Sequence, residues 1–158
     1  DMDFNVYMIK RELKIELKSE ANSYGKNLQL DVIVPHKIFK EISIESITSG
    51  DINLSENIST EYLKLKSGSG DLKTSATFDK ASINSCHGDV ELSIYANKDI
   101  CMEITTRSGD VSTKLNNIRH VNIATKSVIG EFINHHTEAT GYIANVNIST
   151  ITGDITIE

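Results

Sequence analysis

One triplet returns along this chain at a nearly constant interval, and it limits what the chain can fold into. Glycine, an acid and an apolar residue follow one another at Gly50-Asp51-Ile52, Gly70-Asp71-Leu72, Gly88-Asp89-Val90, Gly109-Asp110-Val111, Gly130-Glu131-Phe132 and Gly153-Asp154-Ile155. Successive glycines stand 20, 18, 21, 21 and 23 residues apart, and six of the nine glycines in the chain belong to the motif. Self-similarity at a period near 20 marks a stack of equivalent units, each too small to bury an apolar face alone.

The flanking residues say what each unit is. With each glycine set at zero, position +2 is apolar in all six copies. Position +4 is Leu54, Thr74, Leu92, Thr113, Asn134 and Ile157. Upstream, positions −7 and −5 hold Leu63/Leu65, Ala81/Ile83, Met102/Ile104, Ile123/Thr125 and Val146/Ile148, and the first copy reaches the same pattern one residue earlier with Ile42 and Ile44. Apolar residues two apart belong on one face of a strand. Each unit therefore reads as strand, tight turn, strand and a variable connection such as Ser55–Thr60 or Asn116–His120. The abundance of Ile (22 residues) and a single proline, Pro35, suit strands.

Stacked in parallel about 4.8 Å apart, such units bring like positions into columns that fill an interior. The expected fold is all-β: a single-stranded parallel β-helix, or β-solenoid, of about six rungs. A β-sandwich also has short strands and frequent turns, but gives no reason for the same triplet at the same phase. Glycine suits the corner because it reaches positive φ without a Cβ penalty. The acid at +1 then points outward, opposite the inward residue at +2, and can accept hydrogen bonds from nearby backbone N–H groups.

Residues 1–40 do not follow the period. Leu13, Ile15 and Leu17 alternate with Lys14, Glu16 and Lys18; a polar stretch from Ser19 to Asn27 reads as a loop; Leu28, Leu30, Val32 and Val34 alternate up to Pro35. Two strands around a loop form an expected hairpin-like cap over the first rung. The whole of 1–158 reads as one domain, with capping strands over 1–40 and repeats over 41–158.

Charge narrows the partners. The net charge is −6, and residues 41–158 carry nine Lys/Arg against sixteen Asp/Glu. An acidic surface repels phosphate backbones, so nucleic acid is not an expected partner. The longest apolar run, Val6–Ile9, is far short of the roughly 20 residues a membrane helix needs. Cys86 and Cys101 fall two residues before Gly88 and eight before Gly109, different offsets that argue against a disulfide.

Ser49-Gly50-Asp51-Ile52, Ser69-Gly70-Asp71-Leu72, Ser108-Gly109-Asp110-Val111 and Thr152-Gly153-Asp154-Ile155, with the upstream Leu30-Asp31-Val32-Ile33-Val34-Pro35, resemble a bacterial family of adhesin-like proteins with a β-helical repeat, catalogued as the domain of unknown function DUF4097. The likeness covers 28–158 closely and 1–27 loosely. Gly130-Glu131, preceded by Ile129, departs from the pattern, and a looser corner is expected there. The resemblance implies a β-helical fold and an envelope-associated, non-enzymatic role. Some relatives sit behind a membrane anchor and accompany envelope-stress genes. It supplies no catalytic residues to carry over.

Several residues invite chemistry. The acid column Asp51, Asp71, Asp89, Asp110, Glu131 and Asp154 would bring carboxylates about 5 Å apart, repelling by about 1 kcal/mol per pair in water. Hydrogen bonds from turn N–H groups can offset this; a row of hard cations such as Ca²⁺ is the other reading. A polysaccharide-acting β-helical enzyme would use paired carboxylates, but six rungs offer little groove, and nine aromatic residues with no Trp leave few platforms for sugars. Cys86-His87 face opposite sides of a strand and are not expected to meet, Cys86 being a buried structural residue. His135-His136 lie on a connection, and Tyr62, Phe78, Tyr95 and Phe132 read as packing residues.

The expectation is a non-catalytic, adhesin-like or scaffold-like domain without a cofactor, whose partner is a protein or a cell-wall polymer. The alternatives are the polysaccharide-acting enzyme and the cation-binding repeat. The expected place is the cell envelope, outside the cytoplasm or held to the membrane by a segment outside this chain, with the cytoplasm as alternative. Ile155 and Ile157, in the last strand, are expected on an exposed edge that gives weak self-association.

Overall fold

The computed structural model describes residues 2–9, 12–19, 32–47, 49–56, 58–137 and 140–158, the first two ranges by backbone alone. Among them there is no helix. The chain divides into two compact units, Asp1–Val34 and Pro35–Glu158.

The first unit contains an antiparallel hairpin of β1 (Met2–Ile9) and β2 (Glu12–Ser19), in continuous register from Met2↔Ser19 to Ile9↔Glu12. The strand expected at Leu13–Leu17 is therefore present, and it pairs with Met2–Ile9 upstream, while the expected partner Leu28–Val34 falls largely outside the described residues. Residues 20–27 of the expected loop and residues 28–31 lie outside the described residues; Val32–Val34 are not strand. Phe4, Val6 and Met8 alternate as clearly as the downstream residues do. A short connection between β1 and β2 also requires less loop-closure entropy than a longer one.

The second unit is a parallel β-solenoid of six rungs, each a long strand, a glycine corner and a short strand. Rung 1 is β3 (Ile38–Ser46) and β4 (Ile52–Leu54); rung 2 is β5 (Ser59–Ser67) and β6 (Leu72–Thr74); rung 3 is β7 (Thr77–His87) and β8 (Val90–Tyr95). Rung 4 is β9 (Ile100–Ser108) and β10 (Val111–Asn116); rung 5 is β11 (Ile118–Ile129) and β12 (Phe132–Asn134); rung 6 is β13 (Tyr142–Thr152) and β14 (Ile155–Ile157). The long strands form one six-stranded sheet and the short strands another. The expected columns are aligned: Ile42↔Leu63, Leu63↔Ala81, Ala81↔Met102 and Met102↔Val146 are register neighbours. The residues of these columns in rungs 2, 3, 4 and 6 make the core, with Leu63, Leu65, Ile83, Ile104 and Ile148 fully enclosed.

The rungs do not stack in chain order. Both sheets run 1-2-3-4-6-5, so the C-terminal rung is inserted between rung 4 and rung 5. β14 pairs with β10 on one side and β12 on the other, and Ile155 and Ile157 are fully buried. The exposed edge expected at β14 is therefore elsewhere, on β11 and β12.

Inward side chains account for the exchange. Rung 6 turns Ala144, Val146, Ile148, Ile155 and Ile157 inward, all buried; rung 5 offers Val121, Ile123, Thr125, Phe132 and Asn134 in the same columns. Enclosing the Asn134 amide and the Thr125 hydroxyl without partners costs about 1–3 kcal/mol each, so the more apolar rung takes the enclosed place.

Asn116 and Asn117 carry the chain past the skipped level. Asn117 has φ 61°, a left-handed conformation that Asn tolerates. Its Nδ2 donates to the Ala96 carbonyl at 2.7 Å, and its own carbonyl accepts from Tyr142 N–H at 3.1 Å. Gly141 packs against that carbonyl so closely that a Cβ would lie 2.1 Å from it.

Candidate functional site: the glycine corners and the acid ladder

Three successive backbone N–H groups define each corner. In rung 3, Gly88 N–H and Val90 N–H donate to the carbonyls of Ser108 and Asp110 in rung 4, at 3.0 and 2.9 Å. The N–H between them, that of Asp89, bonds back toward rung 2, where it donates to Asp71 Oδ1 at 2.9 Å. Asp89 is exposed, and the acid of the neighbouring rung still supplies the acceptor for its N–H.

The same bond recurs through the whole stack. Asp71 N–H donates to Asp51 Oδ1, Asp110 N–H to Asp89 Oδ1, Asp154 N–H to Asp110 Oδ1 and Glu131 N–H to Asp154 Oδ1, all at 2.8–2.9 Å. The order 51-71-89-110-154-131 follows the exchanged rungs and not the chain. Hydrogen bonds of this charge-assisted kind offset the repulsion within the column. The acceptor role expected for the acid holds, with the donor in the next rung and not in the acid's own corner. Glu131 ends the ladder: no rung beyond it presents an N–H, so the shorter Asp is not required there.

The glycines have a second reason besides φ. Gly109, at φ 137°, packs on the rung beneath it, and a Cβ there would lie 2.2 Å from the Gly88 carbonyl oxygen. Gly50, at the start of the stack, has positive φ of 150° but only Ser46 Oγ within reach, at 3.5 Å. Gly70, Gly88, Gly130 and Gly153 are stacked like Gly109.

The other candidates are dispersed. Cys86 and Cys101 are both exposed free thiols, so Cys86 is not the buried residue expected. It is solvent-facing because it falls on the outward phase of β7, in alternation with the buried Ala81, Ile83 and Ser85. His135 is exposed and its N–H donates to Ile157 O at 2.7 Å; His136 is half-buried with its N–H on Asn134 Oδ1 at 3.0 Å. Phe78 is core, Tyr62 half-buried, and Tyr95 and Phe132 are exposed. Among the described residues no three His, Cys, Asp or Glu side chains are grouped to hold a metal ion. Shallow depressions of about 310 Å³ lie beside the ladder at Asp51, Asp71, Lys73 and Glu91, and on the long sheet at Cys101, Asn122, Asn145 and Asn147.

A second polar column runs inside the stack. Ser67, Ser85, Thr106 and Thr150 are register neighbours three residues before their glycines, all buried, and their hydroxyl oxygens have no partner among the described residues. The repeated Ser/Thr at position −3 is legible in the sequence.

Outside the corners, Lys66 Nζ meets Glu45 Oε1 at 2.5 Å and Lys73 Nζ meets Glu91 Oε2 at 2.7 Å, both exposed pairs. The bond and charge of Lys66 hold the Glu45 carboxyl below its ordinary pKa and in return raise the lysine's.

The sequence model of the Toastrack DUF4097 family matches residues 3–158. No curated protein matches the chain. Among solved structures, a protein named as a putative cell adhesion protein from Clostridium sporogenes superposes with a TM-score of 0.58. It is 17% identical, with 99% of this chain and 75% of that chain covered. At that identity the likeness concerns the fold.

Proposed function

The chain belongs to the Toastrack DUF4097 family, and on that premise we propose that it is a non-catalytic, adhesin-like or scaffold-like domain of the bacterial cell envelope. The observation that carries this reading is the use of the acids. Each Asp carboxylate that a sequence reader would offer to a cation or a glycosidic bond accepts a backbone N–H of the adjoining rung, so the chemistry-bearing column serves the scaffold. The structural neighbour's name, which refers to cell adhesion, supports the same direction. The partner is a protein or a cell-wall polymer that contacts the two parallel sheets, and no cofactor takes part.

The test pairs binding with turnover. The purified chain is presented to whole cells, cell-wall polymers and envelope proteins, and the same glycans are assayed for cleavage. Saturable binding without product formation is the expected result. Release of sugar, lost in Asp89→Asn while the fold persists, would establish the enzyme instead. Calorimetry with Ca²⁺ is expected to show neither heat nor a change in melting temperature.

A further inference from the structure

Rung 6 lies between two rungs that already fit each other. β13 holds β9 and β11 in a single register: Met102 faces Val146, which faces Ile123, and Thr106 faces Thr150, which faces Ser127. In the short sheet Val111 faces Ile155, which faces Phe132. With rung 6 withdrawn, rung 5 meets rung 4 residue for residue, with no shift along the strands.

The corner groups fit as well. Rung 4 gives Gly109 N–H to Thr152 O at 3.0 Å and Val111 N–H to Asp154 O at 2.8 Å, and Asp110 Oδ1 accepts Asp154 N–H at 2.8 Å. Rung 5 turns the equivalent groups toward rung 6. Ile129 O and Glu131 O accept from Gly153 N–H and Ile155 N–H, and Glu131 N–H donates to Asp154 Oδ1. In contact with rung 4, these three replace Thr152 O, Asp154 O and Asp154 N–H one for one.

The chain leading from rung 4 to rung 5 has the length for a single level. Ile100 stands five positions after Tyr95 across the step from rung 3 to rung 4, and Val121 five positions after Asn116, the register neighbour of Tyr95. Gly130 follows Gly109 at the same 21 residues that separate Gly109 from Gly88. Yet this connection climbs two levels, past rung 6. It does so with Asn117 at φ 61° and a register irregularity between Ile118 and His120. The step from Tyr95 to Ile100 contains no residue at positive φ.

We propose that rung 6 is a retractable insert, and that the solenoid has a second stacking order, 1-2-3-4-5, into which it closes when rung 6 withdraws. Rung 5 ends the stack in both orders, so Thr125 and Asn134 stay at the edge and no polar side chain is newly enclosed. Withdrawal costs the burial of Val146, Ile148, Ile155 and Ile157, while β11 and β12 restore the pairing that β9 and β10 lose. Local opening is therefore cheaper at rung 6 than at rung 2, 3 or 4, whose removal separates the rungs on either side. It frees β13 and β14 and leaves five rungs standing.

Native-state hydrogen exchange of the full chain tests this. The amides of residues 143–157 are expected to open as one unit, short of global unfolding. The N–H groups of Gly109 and Val111 exchange at least about tenfold more slowly, because rung 5 carbonyls take over as acceptors. A chain with Thr105→Cys and Lys126→Cys, and with Cys86 and Cys101 replaced by Ser, traps the closed order. Both side chains face solvent, and each position is a register neighbour of Ser149 but not of the other. The pair stays reduced in buffer and forms an intramolecular disulfide in urea too dilute to unfold rungs 1–4. Once formed, the bond abolishes the protection of residues 143–157 and leaves that of Gly109 and Val111. Exchange of Gly109 and Val111 in step with rung 6, exchange of rung 6 only on global unfolding, or a disulfide that never forms below the global transition would each overturn the proposal.

Discussion

Rungs 5 and 6 carry the same repeat, yet one ends the stack and the other is enclosed within it. Rung 6 presents five buried apolar residues and an Asp whose carboxylate holds the next rung. Rung 5 presents Thr125 and Asn134 inward, Glu131 at the ladder's end, and Val128, Ile129 and Ile133 outward. Position in the stack follows from what each side chain tolerates, not from position in the chain. Hydrogen bonding alone could not choose, because every rung offers its neighbours the same backbone groups.

The comparison is sharpest at the corners. Gly153→Ala in rung 6 drives a Cβ to 2.1 Å from the Gly109 carbonyl and is expected to cost about 4 kcal/mol or more, enough to separate the rungs. Gly50→Ala meets no backbone atom and keeps only its φ strain, about 1–2 kcal/mol. Equal melting temperatures for the two variants would show that stacking does not set the cost.

In the core, Ile148→Ala is expected to lower stability by about 3–4 kcal/mol, and Thr125→Ala, in the same column of rung 5, by less than about 1 kcal/mol. Denaturant unfolding that gives similar losses would mean that rung 5 is enclosed after all. Along the ladder, Asp110→Ala removes the carboxylate that accepts the exposed Asp154 N–H and is expected to cost about 0.5–1.5 kcal/mol, whereas Glu131→Ala changes stability by less than about 0.5 kcal/mol.

Much of this was legible. The six corners, the inward columns and the parallel stack follow from Gly, +2, −7 and −5 alone. The exchange of rungs 5 and 6 was not, because the repeat carries register but not order. Its traces were present in Asn134 where other rungs have Leu, Ile or Thr, in Glu131 in place of Asp, and in Asn116-Asn117 opposite Gly141, a glycine out of phase with the others. The upstream hairpin strand was missed although residues 4–8 alternate as well as residues 28–34 do, because alternation marks a strand without naming its neighbour. The acid's outward direction was readable; that it serves the N–H of another rung required the stack itself.

Smaller effects extend the contrast to the polar columns. Thr106→Val, which removes a buried hydroxyl without a partner, is expected to raise stability by about 1 kcal/mol, while Ser46→Ala in the same column of the end rung leaves it nearly unchanged. The smallest effect concerns Glu45 and Lys66. The carboxyl is held below its ordinary pKa in the folded state, so the pair's contribution is complete above the ordinary carboxylate range. It is lost as pH falls through the lowered value. Both groups are solvent-exposed, so Glu45→Gln is expected to flatten only slightly the fall in melting temperature on acidification.

The order of the rungs can be read directly by cross-linking outward-facing residues in the long sheet, with Cys86 and Cys101 replaced by Ser. Asn147 is the register neighbour of both Glu103 and Ala124, which are not neighbours of each other. A chain with Glu103→Cys and Asn147→Cys is expected to form an intramolecular disulfide readily, and one with Glu103→Cys and Ala124→Cys to remain reduced. A disulfide in the second chain and none in the first would place rung 5 directly on rung 4 and contradict the inserted C-terminal rung.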